Sequence, residues 1–326
     1  MARVRYKSAL FVSLAVGLAA WAAWADSPKT TLPSPLHPGR FTLTIKSGGY
    51  DRVAHIHVPK GCQAEDKPPL VLLLHGGGGG GASILDTDGW AAKADKEGFL
   101  AIAPDGLGAA PNLLTNFRLN PMVWNSGQLR AGSPRAAIDD VAFFRQLLDD
   151  LKEKTPYDED RVYCVGHSNG GGMTLRAATE SSERFAAIGM VAGLLAVEKP
   201  QPKKPMPTLY IIGTKDPLVP VDGGEVKTPW GVRQNPPIAE PLSKWATAIG
   251  CEAEPRVISD KDRMKKVEYP SKTGGPKLTV IYVEGHGHHW PGAKAALPDS
   301  IMGPNTNILN ATDTIWEFLK SCSKDK

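Results

Sequence analysis

A serine set between glycines stands at Gly166-His167-Ser168-Asn169-Gly170, directly after the short apolar run of residues 161–165. A serine hydroxyl is a poor nucleophile at its own pKa and needs a base to take its proton. Glycines at the flanks permit a turn sharp enough to lift that hydroxyl clear of a strand end. A helical pattern begins at Met173, which completes the strand, turn, helix context of a G-x-S-x-G nucleophile elbow. The same turn sets the Asn169 amide at a helix N-terminus, facing negative charge that develops on a bound carbonyl.

Such a serine requires a base, an acid to orient the base, and a second donor to the oxyanion. The base is sought after a late strand, where residues 278–283 run into Glu284-Gly285-His286-Gly287-His288-His289-Trp290-Pro291-Gly292. Three histidines in four positions qualify, and spacing does not choose among them. His-x-His can also chelate a metal, but no Cys or carboxylate set accompanies it, so no metal is expected. The acid is sought at the end of the preceding strand, in Ile211-Ile212-Gly213-Thr214-Lys215-Asp216-Pro217. A carboxylate at Asp216 can accept the imidazole Nδ1 hydrogen and fix the productive tautomer. A solvated turn aspartate before proline is the plainer reading, and Asp222 is the alternative acid. The order Ser, Asp, His is that of α/β-hydrolases and favours Asp216.

The second oxyanion donor follows from Leu72-Leu73-Leu74 leading into His75 and six consecutive glycines, 76–81. This is an HGGG-type loop whose backbone amides complete an oxyanion hole. Gly77 is the expected donor beside Asn169, with Gly76 and Gly78 as neighbours. The glycines also satisfy G-x-G-x-x-G by accident. No helix is expected to start promptly after them, no ribose-binding acid follows, and no Gly-Lys-Ser/Thr is present, so neither a nucleotide nor any other cofactor is expected. Trp124 and Trp290 are candidates to line a substrate cleft. Trp230, in a Pro- and Gly-rich insertion, reads rather as a loop anchor.

The elements that carry these residues alternate. Residues 41–45 and 53–58 suit an antiparallel pair, whereas 70–74, 99–103, 161–165, 185–191, 208–212 and 278–283 are continuous apolar runs of the kind found in parallel strands covered on both faces. Helical spacing is clearest over 136–154, and further helices are expected over 84–97 with a break near Gly89, 170–179, 238–249 and 313–320. The fold class is α/β, a mostly parallel central sheet with helices on both faces in one domain spanning 41–326.

Residues 1–25 read as a secretory signal peptide. Arg3, Arg5 and Lys7 precede an apolar stretch, and Ala23-Trp24-Ala25 offers a cleavage site before Asp26. Residues 26–40 read as an extended arm. Loss of the three leader cations lowers the formal net charge from +4 to +1. No basic block with interleaved aromatics remains, so neither a nucleic-acid partner nor stable membrane association after signal removal is expected. The expected location is secreted or periplasmic. Of the four cysteines, Cys164 is expected as a buried thiol, Cys62 stands unassigned, and Cys251 with Cys322 is the preferred pair.

With these motifs the chain resembles exported α/β-hydrolases of the polyhydroxybutyrate depolymerase and feruloyl esterase type, esterase family 1 among carbohydrate esterases. The resemblance runs from residue 70 to the C-terminal helix. It is carried by Ile138-Asp139-Asp140-Val141, Asp160-Arg161-Val162-Tyr163, Ser168-Asn169-Gly170-Gly171 and Gly287-His288-His289-Trp290-Pro291-Gly292. Ala311-Thr312-Asp313 with Ile315-Trp316-Glu317-Phe318 is similar to the family's closing helix. In that family the first histidine of G-H-x-W-P-G is catalytic, which implies His288, and G-x-x-D-x-x-V-P supports Asp216. The resemblance implies a secreted serine esterase with a Ser168-Asp216-His288 triad, acting on feruloyl or acetyl esters of polysaccharide or on short hydroxyalkanoate esters. An acyltransferase, a peptidase on the same fold and a non-catalytic carbohydrate-binding relative are the competing outcomes. The chain departs from the family in its cysteines, so family disulfides are not carried over.

Overall fold

The computed structural model describes residues 37–324 apart from 64–65, 130–131 and 229–230. The leader, most of the arm and Trp230 therefore lie outside the described residues. The chain opens with an antiparallel hairpin of β1 (Gly39–Ser47) and β2 (Tyr50–Val58). The last two residues of the expected arm are thus already strand. β3 (Leu70–Leu74) is buried at every position, as its unbroken apolar run requires. The glycine loop follows it, and α1 (Gly81–Thr87) starts on the last of the six glycines. A helix does follow that loop promptly, against the sequence expectation. It can begin there because a Cβ on Gly81 would lie 2.0 Å from the Ala103 carbonyl oxygen, so only glycine fits. Gly89 (φ 77°) separates α1 from α2 (Trp90–Glu97).

β4 (Leu100–Pro104) returns beside β3, and a two-residue ladder of β5 (Leu107–Gly108) and β6 (Met122–Val123) closes a long loop above it. α3 (Asp140–Lys154) begins four residues later than its apolar spacing predicts. The Asn125 side-chain amide donates to the Ala136 and Ile138 carbonyls, which holds the preceding segment out of the helix, and Asp139 then caps by accepting the Ala142 amide. β7 (Val162–His167), α4 (Asn169–Glu180), β8 (Ala187–Val191) and β9 (Thr208–Gly213) continue the parallel alternation. A small hairpin, β10 (Gly224–Thr228) with β11 (Gly231–Asn235), precedes α5 (Ala239–Ala248).

A second hairpin, β12 (Arg256–Lys261) and β13 (Met264–Tyr269), turns through Asp262 and Arg263, both at positive φ. β12 is exposed at five of its six positions, so it carries none of the apolar periodicity by which strands are found in sequence. β14 (Leu278–Val283), α6 (Asp299–Met302) and α7 (Ala311–Leu319) complete the chain. The ten-stranded sheet runs β1-β2-β4-β3-β7-β8-β9-β14-β13-β12. Its six central strands are parallel and each edge is antiparallel.

Alternate residues of the central strands feed two cores. Leu70, Leu72 and Leu74 face a cluster with Trp124, Phe144 and Leu148, while Val71 and Leu73 face Trp90, Ile315 and Trp316 on the other side. This division overturns the expected Cys251–Cys322 pair. Cys251 is buried in the first layer and Cys322 packs against the second, so the sheet stands between them, and all four cysteines are free thiols.

One buried ionic cluster ties the edge to the centre. Asp140 accepts Arg52 Nη2 at 2.8 Å, Arg135 Nη2 at 2.6 Å and the Asn125 amide at 2.7 Å. Arg135 also donates twice to the Val123 carbonyl, and the Arg52 guanidinium lies 4.0 Å above the Phe143 ring. Removing the carboxylate strands two buried cations. Asp140→Ala is expected to lower the unfolding free energy by about 3–5 kcal/mol, read from urea denaturation curves. A loss below that of an ordinary surface substitution would show the cluster to be energetically idle.

Candidate active site

The elbow is a place where three backbone segments come closer than side chains allow. A Cβ on Gly170 would lie 2.0 Å from the Leu74 carbonyl oxygen, and one on Gly166 would lie 2.2 Å from the Gly170 carbonyl oxygen. Between them Ser168 is held at φ 53° and ψ −118°, its amide donating to the Val191 carbonyl and its carbonyl accepting the Gly172 amide. A non-glycine residue in that region costs on the order of 1–3 kcal/mol, so the surrounding strand and helix must impose it. The conformation carries Oγ off the end of β7, and Ser168 is half-buried.

β9 and β14 are neighbours in register, Gly213 opposite Val283, so the loops leaving them run side by side. A Cβ on Gly213 would lie 2.1 Å from the His286 carbonyl oxygen, which shows how tightly those loops cross. The result is a continuous polar chain. Ser168 Oγ is 2.7 Å from His288 Nε2, and His288 Nδ1 is 2.7 Å from Asp216 Oδ2. The other Asp216 oxygen accepts the Leu218 and Val219 amides at 2.8 and 2.7 Å. With Asp216 accepting at Nδ1, Nε2 is left as the acceptor for the serine hydroxyl. Asp216 and His288 are buried, 4% and 2% exposed, so the chain is open to solvent only at its serine end.

The neighbouring candidates are placed apart. His286 Nε2 donates to the His289 carbonyl while its Nδ1 accepts the Thr306 amide, and His289 Nε2 donates to the Gly303 carbonyl. Both rings serve the loop's own fold. Asp222 is exposed. Among the described residues no group of three His, Cys, Asp or Glu side chains converges to hold a metal ion.

The glycine loop lies across the elbow. A Cβ on Gly76 would sit 3.3 Å from Ser168 Cβ, and one on Gly77 would sit 3.9 Å from Asn169 Cβ. The Gly78 amide is committed to the Met122 carbonyl at 2.8 Å, which removes it as an oxyanion donor. Gly77 and Asn169 have no amide acceptor among the described residues. Three side chains fix this geometry, two of them within the sequence motifs and one, Asp105, outside them. Buried His75 donates from Nδ1 to the Gly76 carbonyl and accepts the Gly106 amide at Nε2, and burial lowers its pKa, favouring the neutral ring. Asp105 accepts the Gly81 amide at 2.6 Å and fixes the far end of the loop. The Asn169 side chain clasps the Trp124 backbone at both N and O and reaches Ser126 Oγ, which aims its own amide. His75 and Asn169 stand inside the sequence motifs, whereas Asp105 carries no signal in the sequence.

Both tryptophans expected to line a cleft are core residues. Trp124 is fully buried, with its indole N–H donating to the His75 carbonyl and its ring against Phe144. Trp290 is 4% exposed, donates to Thr312 Oγ1 and packs edge-on against Trp90. An indole whose N–H finds an internal partner loses little by burial, and that favours the core over the rim.

Trp290 also meets His167, whose Nε2 donates to the His288 carbonyl at 2.9 Å and whose ring lies 5.3 Å from the His288 ring. His167 thus tethers the His288 backbone to the strand that leads to Ser168. Burial and the adjacent His288 push its pKa down to about 3. A base held neutral in the fold contributes stability that is present above its unfolded pKa, about 6.5, and is lost as pH falls toward the folded value. The thermal midpoint is expected to fall through that acid window, and His167→Gln is expected to remove this part of the decline. An unchanged pH profile of the midpoint in the variant would refute the assignment.

Comparison with known proteins agrees with this architecture. A model of the prolyl oligopeptidase family matches residues 130–201, the stretch from before α3 through the elbow and β8. The Nocardia uniformis protein named "Putative esterase NocK" is 29% identical over 98% of this chain and 99% of its own length. Feruloyl esterase B of Piromyces equi is 30% identical over 57% of this chain, a match that spans 32% of that protein. Among solved structures, an acetyl xylan esterase from Aspergillus awamori superposes with a TM-score of 0.55 at 14% identity, covering 86% of this chain and 99% of that one. A ferulic acid esterase from Anaeromyces mucronatus gives 0.52 at 16% identity, covering 90% and 94%. The structural likenesses establish the fold, and the sequence relatives are esterases by name. The chain is an α/β-hydrolase, an enzyme of the carboxylic ester hydrolase class, and is similar in sequence to feruloyl esterases.

Proposed function

We propose that the chain hydrolyses carboxylic esters through a Ser168-His288-Asp216 triad and an acyl-enzyme. The observation that carries this reading is the unbroken chain of two 2.7 Å contacts from the Ser168 hydroxyl through His288 to Asp216. Ser168 Oγ attacks the ester carbonyl as its proton passes to His288 Nε2. The amides of Gly77 and Asn169 donate to the oxyanion, and loss of one such donor raises the barrier by about 3–4 kcal/mol. The imidazolium returns its proton to the departing alcohol, which breaks the ester C–O bond and leaves the acyl group on Ser168. Water then attacks that carbonyl with His288 again as the base, and the carboxylic acid leaves.

Three acyl classes fit the resemblance and the named relatives: feruloyl or acetyl groups on polysaccharide, and short hydroxyalkanoate esters. A soluble panel of methyl ferulate, acetylated xylan fragments and 3-hydroxybutyrate oligomers separates them by kcat/KM. A fluorophosphonate probe followed by peptide mapping tests the nucleophile directly. Adduct at Ser168 is expected, and label elsewhere with Ser168 untouched would overturn the mechanism. We also infer export, on the charged leader, the apolar stretch and the Ala23-Trp24-Ala25 site. N-terminal sequencing of the expressed protein should then begin at Asp26.

A further inference from the structure

The Pro- and Gly-rich insertion after β9 forms the hairpin of β10 and β11, and that hairpin is built against the loop carrying Asp216. Its base is closed by the Ile238 amide, which donates to the Val221 carbonyl at 2.9 Å, and Val226 of β10 is buried. Along β11 the side chains alternate. Val232 and Gln234 face solvent, while Arg233 and Asn235 turn inward. Both inward side chains end on one atom: Arg233 Nη2 donates to the Leu218 carbonyl at 2.7 Å, and Asn235 Nδ2 donates to the same oxygen at 3.1 Å.

That carbonyl belongs to the peptide unit whose N–H is the Val219 amide, and the Val219 amide donates to Asp216 Oδ1 at 2.7 Å. One peptide plane thus has a guanidinium and a side-chain amide at its oxygen and the carboxylate at its nitrogen. Resonance couples the two ends. Donors at the oxygen draw electron density from the nitrogen and strengthen its N–H as a donor, by about 10–30% per bond in a hydrogen-bonded chain. The Leu218 amide gives Oδ1 a second bond at 2.8 Å, so Oδ1 is taken up and Oδ2 is turned to His288 Nδ1. Among the groups on which the Asp216 charge acts, burial holds His167 and His286 toward the neutral form and keeps Tyr210 protonated. Arg233 stays a cation although burial opposes it, and the Asp216 charge offsets part of that cost. The hairpin therefore sets a positive charge one peptide behind the carboxylate.

We propose that Arg233 is a positioning residue of the reaction: acting through the 218–219 peptide, it fixes the rotation of the Asp216 carboxylate and so the orientation of His288. This role rests on the triad reading and deepens it, since it gives the insertion a part in the site.

The test follows kcat and KM for p-nitrophenyl acetate together with the low-field proton resonance of His288 Nδ1–H, assigned by its loss in Asp216→Asn. Arg233→Met keeps an apolar stem and removes both charge and donor. In that variant kcat is expected to fall by about 10- to 100-fold with KM within about threefold, and the resonance is expected to move upfield. Arg233→Lys restores a cation and is expected to recover most of both. Asn235→Ala removes the neutral donor from the same oxygen and is expected to shift the resonance the same way by less, a readout that stands even if Arg233→Met does not fold. The resonance is also recorded in the Ser168→Ala background, where it reads the bond between His288 and Asp216 whether or not Ser168 is the nucleophile. An upfield shift there supports the positioning role even if Ser168→Ala proves active and the triad reading fails. A resonance unmoved in both Arg233→Met and Asn235→Ala overturns the role. Equal loss of kcat in the Met and Lys variants with the resonance in place also overturns it, since Arg233 would then serve the fold alone.

Discussion

Ser168→Ala is expected to lower kcat for p-nitrophenyl acetate by about 10⁵–10⁶-fold while leaving KM within a few fold. The size of the effect follows from what the substitution removes and what it leaves. The nucleophile goes, and with it the role of His288 as base. The glycine loop and the Asn169 amide remain, because Asn169 is aimed by its own clasp on the Trp124 backbone and not by the serine. Residual hydrolysis through the oxyanion hole and binding alone should therefore persist at about 10³–10⁴ over the uncatalysed rate. Alanine also fits the turn no worse than serine, since the strain at φ 53° belongs to any residue with a Cβ. The folded state should be unchanged, so an unaltered circular dichroism melt accompanies the expected loss. Wild-type turnover in the variant would remove Ser168 from the mechanism.

The second large effect is at Asp216. Asp216→Asn is expected to reduce kcat by about 10⁴-fold near neutral pH. The reason is tautomeric. An amide N–H facing His288 Nδ1 forces that nitrogen to accept, which moves the ring hydrogen to Nε2 and leaves nothing to receive the Ser168 proton. The retained amide oxygen can still accept the Leu218 and Val219 amides, so the loop should hold. Asp216→Ala differs in a measurable way. It abandons those two amides, and a buried donor without a partner costs about 1–3 kcal/mol. The Asn variant should thus be inactive and stable, and the Ala variant inactive and less stable. Equal melting temperatures would mean that solvent reaches the two amides.

The parts of the site that could be read in the sequence are those whose chemistry demands a local pattern. The elbow needs glycines at 166 and 170 because the Leu74 and Gly170 carbonyls leave no room, and that need is written in five residues. The central strands are legible because burial on both faces leaves only apolar residues. The histidine that meets Ser168 is less legible: His286, His288 and His289 are equivalent in composition. Only the crossing of the β9 and β14 loops turns one of them toward Ser168, so the resemblance carried what spacing did not. Trp124 and Trp290 were misplaced because a tryptophan serves equally in core and cleft, and the partners that decide it, His75 and Thr312, are distant in sequence. The β12 and β13 hairpin and the cysteine geometry were illegible for a related reason. An exposed edge strand has no apolar period, and four cysteine positions carry no record of which face of the sheet each occupies.

The spacing of the polar chain along the sequence has a kinetic consequence. His288 lies 120 residues from Ser168 and 72 from Asp216, and its loop leaves the last parallel strand to join the sheet. Contacts of such long range carry a loop-closure cost that local helices do not, and they set the pace of folding in sheets of this kind. A refolding chain can regain most of its helix, and much of its elbow, before β14 docks on β9. Recovered ester hydrolysis should therefore lag the far-ultraviolet signal and keep time with the docking of that one strand.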